Sequence, residues 1–251
     1  MDSRKRLDLL LMESGLASTR TKAQELIVGG KVSVDGKVAR KSGEKVASAS
    51  VLLLSESEHP YVSRGGIKLA AALDFFAVDV NGVRALDVGQ STGGFTHCLL
   101  LRGASSVVGI DVGTDQLSSI LREDPRVTFF EKQDIRTLAP ESIAPLFQFF
   151  VVDLSFLSLS HVLPVLPKFL TQKASGIVLV KPQFEVGPDR IGSGGIVRDA
   201  AAREWAVAHV RECSQENGFT VTGVIPSPVT GGDGNEEFLL RLERASRAEG
   251  I

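Results

Sequence analysis

The stretch from Ala85 to Gly94 constrains the fold of this chain more than any other. It reads Ala-Leu-Asp-Val-Gly-Gln-Ser-Thr-Gly-Gly, an apolar run that stops at Gly89 and turns through small residues. Apolar side chains at helical spacing follow from Phe95 onward. The pattern predicts a buried strand, a glycine-rich loop and a helix whose first N–H groups converge on a ligand. The sequence therefore predicts a cofactor site of the nucleotide-binding kind.

The loop favours a cofactor without phosphates. Its glycines at 89, 93 and 94 do not give G-x-G-x-x-G, and it lacks the Lys-Ser/Thr ending of a phosphate-binding P-loop. The next predicted strand ends in Asp111, about twenty residues on, where a carboxylate in this kind of fold hydrogen-bonds ribose hydroxyls. Loop and acid together predict S-adenosylmethionine, while a plain tight turn is the alternative for the loop alone.

Composition limits the class of protein. The 251 residues are 43% hydrophobic and 23% charged, typical of a globular chain with one large domain or a large and a small one. Cys98 and Cys213 stand in different predicted elements, which favours a reducing compartment, so we expect the cytosol. The most apolar stretch, 149–170, is interrupted by charges and prolines and predicts no membrane span. Four scattered histidines predict no metal site.

Basic residues concentrate at the N-terminus of a chain whose net charge is −2. Up to Lys45 there are ten basic residues against six acidic ones, a local charge of +4. Two short helices are expected here, the second capped by Ser18 or Thr19, followed by a hairpin at Asp35-Gly36 and a strand at 51–54. These elements predict a small α+β module. Its charges indicate either a nucleic-acid contact or a solvated face.

The segment from Gly15 to Gly36 resembles the S4-like RNA-binding domain, in which a helix pair and hairpin present basic side chains to structured RNA. The resemblance covers about one quarter of the chain. It implies an RNA partner, with phosphate contacts from Arg4, Arg20, Lys22, Lys31 and, beyond the module, Arg64. We expect the S4-like domain at 1–58, a linker at 59–62 and a second domain at 63–251.

Strands and helices alternate from Tyr61 onward, which predicts a parallel sheet covered on both faces. The carboxyl ends of such strands meet at one edge, so Asp111, Asp153 and Lys181 should line one crevice with the glycine loop. An antiparallel pair at 219–225 and 238–242 should close the sheet. The fold class expected is α/β, a class I (Rossmann-like) methyltransferase sheet with a small N-terminal α+β domain. Phe75, Phe76 and Trp205 are expected to pack inward.

The whole chain resembles the TlyA family of ribosomal-RNA 2′-O-methyltransferases, often labelled hemolysin A, which join an S4-like domain to an FtsJ-like methyltransferase domain. Seven segments carry the resemblance, at 60–69, 91–96, 124–127, 153–156, 181–185, 194–198 and 234–238. The chain departs from the family at His97, Thr114 and Asp134, where members usually carry an acid, a tyrosine and an asparagine. Histidine at position 97 is more often a packing or surface residue than a ligand.

The resemblance implies an activity and a set of site residues. It implies 2′-O-methylation of cytidine ribose in the ribosomal RNA of ribosomal subunits. Separately, we expect a monomer and no membrane partner. The family's catalytic tetrad falls on Lys68, Asp153, Lys181 and Glu237. We expect S-adenosylmethionine contacts from the glycine loop and nearby acids, namely Asp87, Gly89, Ser91, Thr92, Gly93, Gly94, Asp111 and Asp134.

Two other classes of function stay open at this point. One is a membrane-active hemolysin, which a liposome-leakage assay would reveal, although the sequence offers no long cationic amphipathic helix. The other is a ribosome-associated RNA-binding protein with a decayed cofactor site. Calorimetry with S-adenosylmethionine would discriminate the second from an enzyme.

Overall fold

The computed structural model describes residues 4–17, 19–54 and 59–245 of the chain. They divide into two compact units, Met1–Pro60 and Tyr61–Ile251. The domain borders given above, with a linker at 59–62, remain predictions. Over the described ranges no helix combines the length and apolar character needed to cross a membrane.

The first unit is a helix pair with two small antiparallel sheets. The predicted helices and the hairpin at Asp35-Gly36 are confirmed, and Thr19 Oγ1 caps the second helix by accepting from Lys22 N (3.1 Å). Ser18, the other predicted cap, lies outside the described residues. The elements are helices α1 (Leu7–Glu13) and α2 (Arg20–Val28) and strands β1 (Arg4–Arg6), β2 (Val32–Val34), β3 (Lys37–Val38), β4 (Lys45–Ala47) and β5 (Leu52–Leu54). Strand β1 pairs with β4, and the order of the other sheet is β3-β2-β5.

A buried carboxylate joins the elements of this unit. Asp8, in the first turn of α1, is fully buried and accepts two hydrogen bonds from the Arg6 guanidinium (2.9 and 2.8 Å). It also accepts from Arg20 Nε (3.1 Å), Gln24 Nε2 (3.0 Å) and Leu9 N (3.0 Å). The Arg6 hydrogen bond, aided by the others, holds the Asp8 pKa far below its usual range. Asp8 therefore links β1, α1 and α2.

The second unit is built on one seven-stranded sheet. Its strands are β6 (Arg84–Val88), β7 (Ser106–Ile110), β8 (Val127–Phe130), β9 (Phe147–Val152), β10 (Leu170–Val180), β11 (Phe219–Pro226) and β12 (Phe238–Arg244), in the order β11-β12-β10-β9-β6-β7-β8. Strands β8, β7, β6, β9 and β10 are parallel, and β12 runs antiparallel between β10 and β11. This confirms the predicted sheet and its antiparallel pair.

Helices cover both faces of this sheet, as its apolar strands require. The helices are α3 (Gly65–Phe75), α4 (Gly94–Leu101), α5 (Ser119–Arg122), α6 (Pro182–Glu185) and α7 (Ala200–Glu216). Successive residues of β9 point to opposite faces of the sheet. Phe150 packs in the hydrophobic cluster that contains Val210 of α7, and Phe149 packs in the cluster that contains Leu69 of α3 and Leu99 of α4. The core therefore consists of two layers separated by the sheet.

The prediction that Phe75 and Trp205 pack in the core is wrong. Phe75 is 70% exposed and Trp205 is 42% exposed. Consecutive helical residues do not share a face. In both cases the following residue is the one that packs inward: Phe76 is partly buried and Ala206 is fully buried.

Removing the Asp8 carboxylate should loosen the first unit. We expect Asp8→Asn to lower the free energy of unfolding by about 1–3 kcal/mol at pH 7, since the neutral amide keeps one acceptor oxygen and turns its NH2 group toward donors of Arg6, Arg20 and Gln24. The pKa of Asp8 is depressed in the folded state, so its stabilisation is present above pH 4 and is lost as pH falls further. In urea unfolding, the difference in unfolding free energy between wild type and Asp8→Asn should be smaller at pH 2.5 than at pH 7. Glu13→Gln, which removes the charge of an exposed pair with Lys5, is the control. An equal loss of unfolding free energy in both variants would contradict the structural role of Asp8.

Candidate active site

The site begins where the exits of β6 and β9 touch. Gly89 follows β6 with φ +85°, and a Cβ placed on it would lie 2.1 Å from the carbonyl oxygen of Asp153. Asp153 N donates to Val88 O (2.9 Å) across the same contact. Only glycine fits here, because of both the conformation and the space. The glycine loop and the exit of β9 therefore meet backbone to backbone.

A cavity of about 620 Å³ opens beside this contact, at the carboxyl ends of β6, β7 and β9. The Asp111 carboxylate lines it and accepts from Ser91 N and Gly113 N, both at 2.7 Å. Ser91 Oγ in turn donates to Gln116 Oε1 (3.0 Å). The rest of the wall combines apolar and polar side chains, including Val112, Gln133, Asp134, Ile135, Leu157 and Val162. Asp111 thus both faces the cavity and holds the glycine loop in place.

A second cavity, of about 230 Å³, lies on the other side of the loop. It shares Gly89, Ser91 and Asp153 with the larger cavity. Its remaining wall comes from the glycine loop and from the start of α3, including Ser63, Arg64, Gly65, Lys68, Thr92, Gly94 and Phe95. Asp153 therefore stands at the boundary of two adjoining cavities.

The four residues of the predicted tetrad form two ion pairs. Lys181 Nζ lies 2.7 Å from Asp153 Oδ1 and donates to Ser155 Oγ (3.0 Å). Lys68, from α3, pairs with Glu237, which directly precedes β12 and is 2% exposed at its side chain. Lys68 and Asp153 line the smaller cavity, where Lys68 is paired with Glu237 and Asp153 with Lys181. The arrangement places Lys181 at the exit of β10 and Lys68 at the wall of the smaller cavity.

Two predicted cofactor residues line neither cavity. The Asp87 carboxylate is fully buried and accepts from Thr96 Oγ1 (2.6 Å), a hydroxyl that also accepts from Gln90 Nε2 (2.9 Å). Burial raises the Asp87 pKa to about 7. Asp87 therefore supports the loop from beneath, because it precedes the strand end and faces α4. Gly93 has φ +90° and is the N-cap residue directly before α4.

The other predicted cofactor residues lie on the cavity walls. Gly89, Ser91, Asp111 and Asp134 line the larger cavity, while Thr92 and Gly94 line the smaller one. Asp134 is paired with Arg136 (2.6 Å), whose guanidinium lowers the Asp134 pKa. In the part of the chain that the structure describes, no cluster of three His, Cys, Asp or Glu side chains could hold a metal ion.

The predicted RNA contacts differ in their surroundings. Arg4 is exposed on β1, whereas Arg20 is held by the buried Asp8 and Lys22 pairs with Glu25 (3.4 Å). Lys31 is partly exposed just before β2. Arg64 belongs to the second unit and lines the smaller cavity.

Sequence reasoning missed several residues at the site. Phe156 lines the larger cavity, is 91% exposed and has φ +63°, with its ring centroid 5.3 Å from that of Phe184. The sequence feature that could have predicted its role is its position three residues after Asp153, at the end of a predicted strand. Gln116 gave no signal, since its contact with Ser91 depends on how the chain turns after β7. His97 is a packing residue whose Nδ1 accepts from Val62 N (3.2 Å).

Comparison with known proteins agrees with this architecture. Residues 61–244 match the model of the FtsJ-like methyltransferase family, and residues 5–52 match that of the S4 domain. The Mycobacterium tuberculosis 16S/23S rRNA (cytidine-2′-O)-methyltransferase TlyA is 45% identical over 256 residues, which cover 100% of this chain and 96% of the relative.

Solved structures extend the comparison. A Streptococcus thermophilus protein named as a hemolysin is 40% identical with a TM-score of 0.77, covering 98% of this chain and 90% of that chain. An S-adenosylmethionine-dependent methyltransferase from Mesorhizobium loti, 18% identical with a TM-score of 0.52 over 69% of this chain and 96% of its own, shares the fold alone. With an S4 domain, an FtsJ-like methyltransferase domain and a full-length relative at this identity, the chain belongs to the TlyA family of FtsJ-like methyltransferases.

Proposed function

We propose that this protein transfers a methyl group from S-adenosylmethionine to the 2′-hydroxyl of a cytidine ribose in ribosomal RNA. The observation that carries the proposal is the position of Asp153, which borders both cavities and is paired with Lys181. A methyl donor in one cavity and an acceptor in the other would meet at this boundary. The relative from M. tuberculosis is named for this reaction and supports the assignment.

The larger cavity fits the proposed cofactor. Its volume lies in the range of small-molecule sites, and its wall combines apolar side chains with a few fixed polar groups. A carboxylate offers about four acceptor positions, so Asp111 keeps acceptor capacity for ribose hydroxyls besides its two N–H partners. Asp134 and Gln133 would contact the base, and the glycine loop the remainder. When bound there, S-adenosylmethionine supplies a methyl group activated by its sulfonium.

The protein must then position the ribose hydroxyl and remove its proton. We assign proton acceptance to Lys181 Nζ, which lies 2.7 Å from Asp153 Oδ1 and 3.0 Å from Ser155 Oγ. Lys68, held by Glu237, would place positive charge at the wall of the smaller cavity and orient the RNA backbone. Arg64 on the same wall would contact a phosphate.

Two further features suit an RNA acceptor. Phe156 presents an almost fully exposed ring at the rim of the larger cavity, and protein aromatics stack on unpaired bases in this way. In the first unit, Arg4, Arg20, Lys22 and Lys31 would contact phosphates of structured RNA. We propose that the working substrate is a ribosomal subunit, that the enzyme acts as a monomer and that it works in the cytosol.

Mapping 2′-O-methyl groups on ribosomal RNA tests the function directly. RNA from cells that lack the protein should lose methylation at one or more cytidines. Wild-type protein should restore it, and an equally abundant Asp153→Ala variant should not. An identical methylation map with and without the protein would overturn the proposed function.

The cofactor assignment predicts a specific loss of affinity. Asp111→Ala should weaken S-adenosylmethionine binding by about 1–3 kcal/mol in calorimetry, because a charge-assisted hydrogen bond is lost. Asp111→Asn should weaken S-adenosylmethionine binding less than Asp111→Ala does. The control is Asp74→Ala, which removes an exposed pair with Arg102 away from the cavities. Unchanged affinity in Asp111→Ala would mean that the acid is misassigned.

The RNA assignment predicts a change in salt dependence. Neutralising Arg20 and Lys31 together to Gln should weaken RNA binding and make the slope of log affinity against log salt shallower by about one per lost contact. Cofactor affinity should not change. Lys168→Gln with Lys173→Gln removes the same charge from exposed positions in the second unit. If both double variants keep the wild-type slope, the basic face of the first unit is only solvated.

The role of Lys181 is tested by two substitutions. Lys181→Ala should reduce single-turnover methylation by about 10²–10⁴, with folding and both affinities nearly intact. Lys181→Arg should not rescue the rate, because a guanidinium keeps its proton near neutral pH.

The outcomes separate three roles for this lysine. Substantial methylation by Lys181→Arg would reduce Lys181 to an electrostatic anchor. Substantial methylation by Lys181→Ala would remove it from the active site. Lys168→Ala, at an exposed position, should leave the rate unchanged.

A further inference from the structure

The exits of β9 and β10 are joined at two points, and only one of them involves the tetrad. The first is the contact of Lys181 with Asp153 and Ser155. At the second, Glu185 Oε2 accepts from Ser158 Oγ (2.6 Å) and Oε1 accepts from Leu159 N (2.9 Å). The second connection has no part in the reaction proposed above.

Glu185 is placed to act as an anchor and not as a surface charge. It is 8% exposed, and burial raises the pKa of its carboxyl group while the two hydrogen bonds oppose that rise. Burying a carboxyl group costs free energy unless its oxygens are hydrogen-bonded, so the two donors are tightly coupled to it. Ser158 is fixed in addition, since its Oγ accepts from Ser160 N (3.1 Å).

Both connections arise from one turn of helix. Lys181 directly precedes α6 and Glu185 ends it, so the two side chains leave the chain four residues apart. Backbone hydrogen bonds from Phe184 N to Lys181 O (2.9 Å) and from Val186 N to Pro182 O (3.0 Å) close this turn. A shift at Glu185 is therefore transmitted to Lys181 through a short, hydrogen-bonded unit.

The segment between the two connections forms part of the larger cavity. Residues 153–157 all line it, and Phe156 adopts a left-handed conformation there. A non-glycine residue keeps such a conformation only when its surroundings hold it. Asp153 and Ser155 are held at one end by Lys181, and Ser158 and Leu159 at the other end by Glu185.

We propose that Glu185 is a positioning residue that fixes segment 153–159 against the turn that carries Lys181. By doing so it sets the wall of the cofactor cavity and the alignment of Asp153 with Lys181. The proposal rests on the function given above. It assigns to Glu185 no contact with substrate or cofactor.

Alanine substitutions on both sides of the contact test the proposal. Glu185→Ala should lower kcat per folded molecule by about 10²-fold, the scale of a small misplacement of reacting groups. Ser158→Ala should lower it by about 10-fold, and Ser158→Thr, which keeps the hydroxyl, should restore it. The double variant Ser158→Ala/Glu185→Ala should fall by less than the product of the two single effects, because both break one contact.

Two readouts do not depend on methyl transfer. S-adenosylmethionine affinity, measured by calorimetry, should weaken about 3- to 10-fold in Glu185→Ala. Amide hydrogen exchange of residues 156–159 should become faster in Glu185→Ala and Ser158→Ala. The control is Ser214→Ala, which removes another buried serine, bonded to Val210 O (2.7 Å), from helix α7. It should lower stability while leaving kcat, cofactor affinity and that local exchange unchanged.

The outcomes separate this proposal from the proposed function. Lowered stability with unchanged kcat and cofactor affinity in Glu185→Ala, as in Ser214→Ala, would make Glu185 purely structural and overturn the inference. If Glu185→Ala does not fold, Ser158→Ala decides: a kinetic loss that Ser158→Thr reverses supports the inference, and wild-type kinetics overturns it. Wild-type protein that binds S-adenosylmethionine but methylates no ribosomal RNA would overturn the function, while the affinity and exchange results would still decide the role of Glu185.

Discussion

The site depends on the close approach of Gly89 to the carbonyl of Asp153. Any Cβ at position 89 would collide with that oxygen, so the exits of β6 and β9 can lie this close only with glycine there. Because the two backbones touch, the two cavities adjoin and are both lined by Gly89, Ser91 and Asp153. Methyl transfer requires the acceptor oxygen to approach the methyl carbon to about 3–3.5 Å before reaction, and a side chain between the strands would keep them apart.

The loop between β11 and β12 then ties three other elements to the sheet. Asn235 is buried, accepts from Val197 N (2.9 Å) and donates to Gly195 O (2.9 Å). Glu236 pairs with Arg203 of α7 (3.3 Å), and Glu237 pairs with Lys68 of α3. Three consecutive residues thus attach three segments, and the pairing of Lys68 depends on this loop as much as on α3.

The sequence predicts the fold well because its signals are local and repeated. Apolar runs that end in a charge mark the parallel strands, and Asp35-Gly36 marks the hairpin. Contacts across the chain are less predictable: β1 is a strand because it pairs with β4, and no local pattern shows that Asp8 is buried among donors from β1 and α2. At the site, motif resemblance indicated the tetrad, whereas the buried position of Asp87 and the role of Gln116 depend on packing that no spacing reveals.

The position of β12 also sets an order for folding during synthesis. Among the described residues, the strands of the first unit pair only with one another, so these strands have their partners once the ribosome has made β5. Over the described part of the second unit, β11 pairs only with β12, the strand nearest the C-terminus there, which also lies beside β10. Until residues 238–244 leave the exit tunnel, β11 has no neighbour and one side of β10 is unpaired. A nascent chain can therefore present a folded S4 domain while its sheet still has an open edge, and the arrival of one strand closes that edge just after Glu237 becomes available to Lys68.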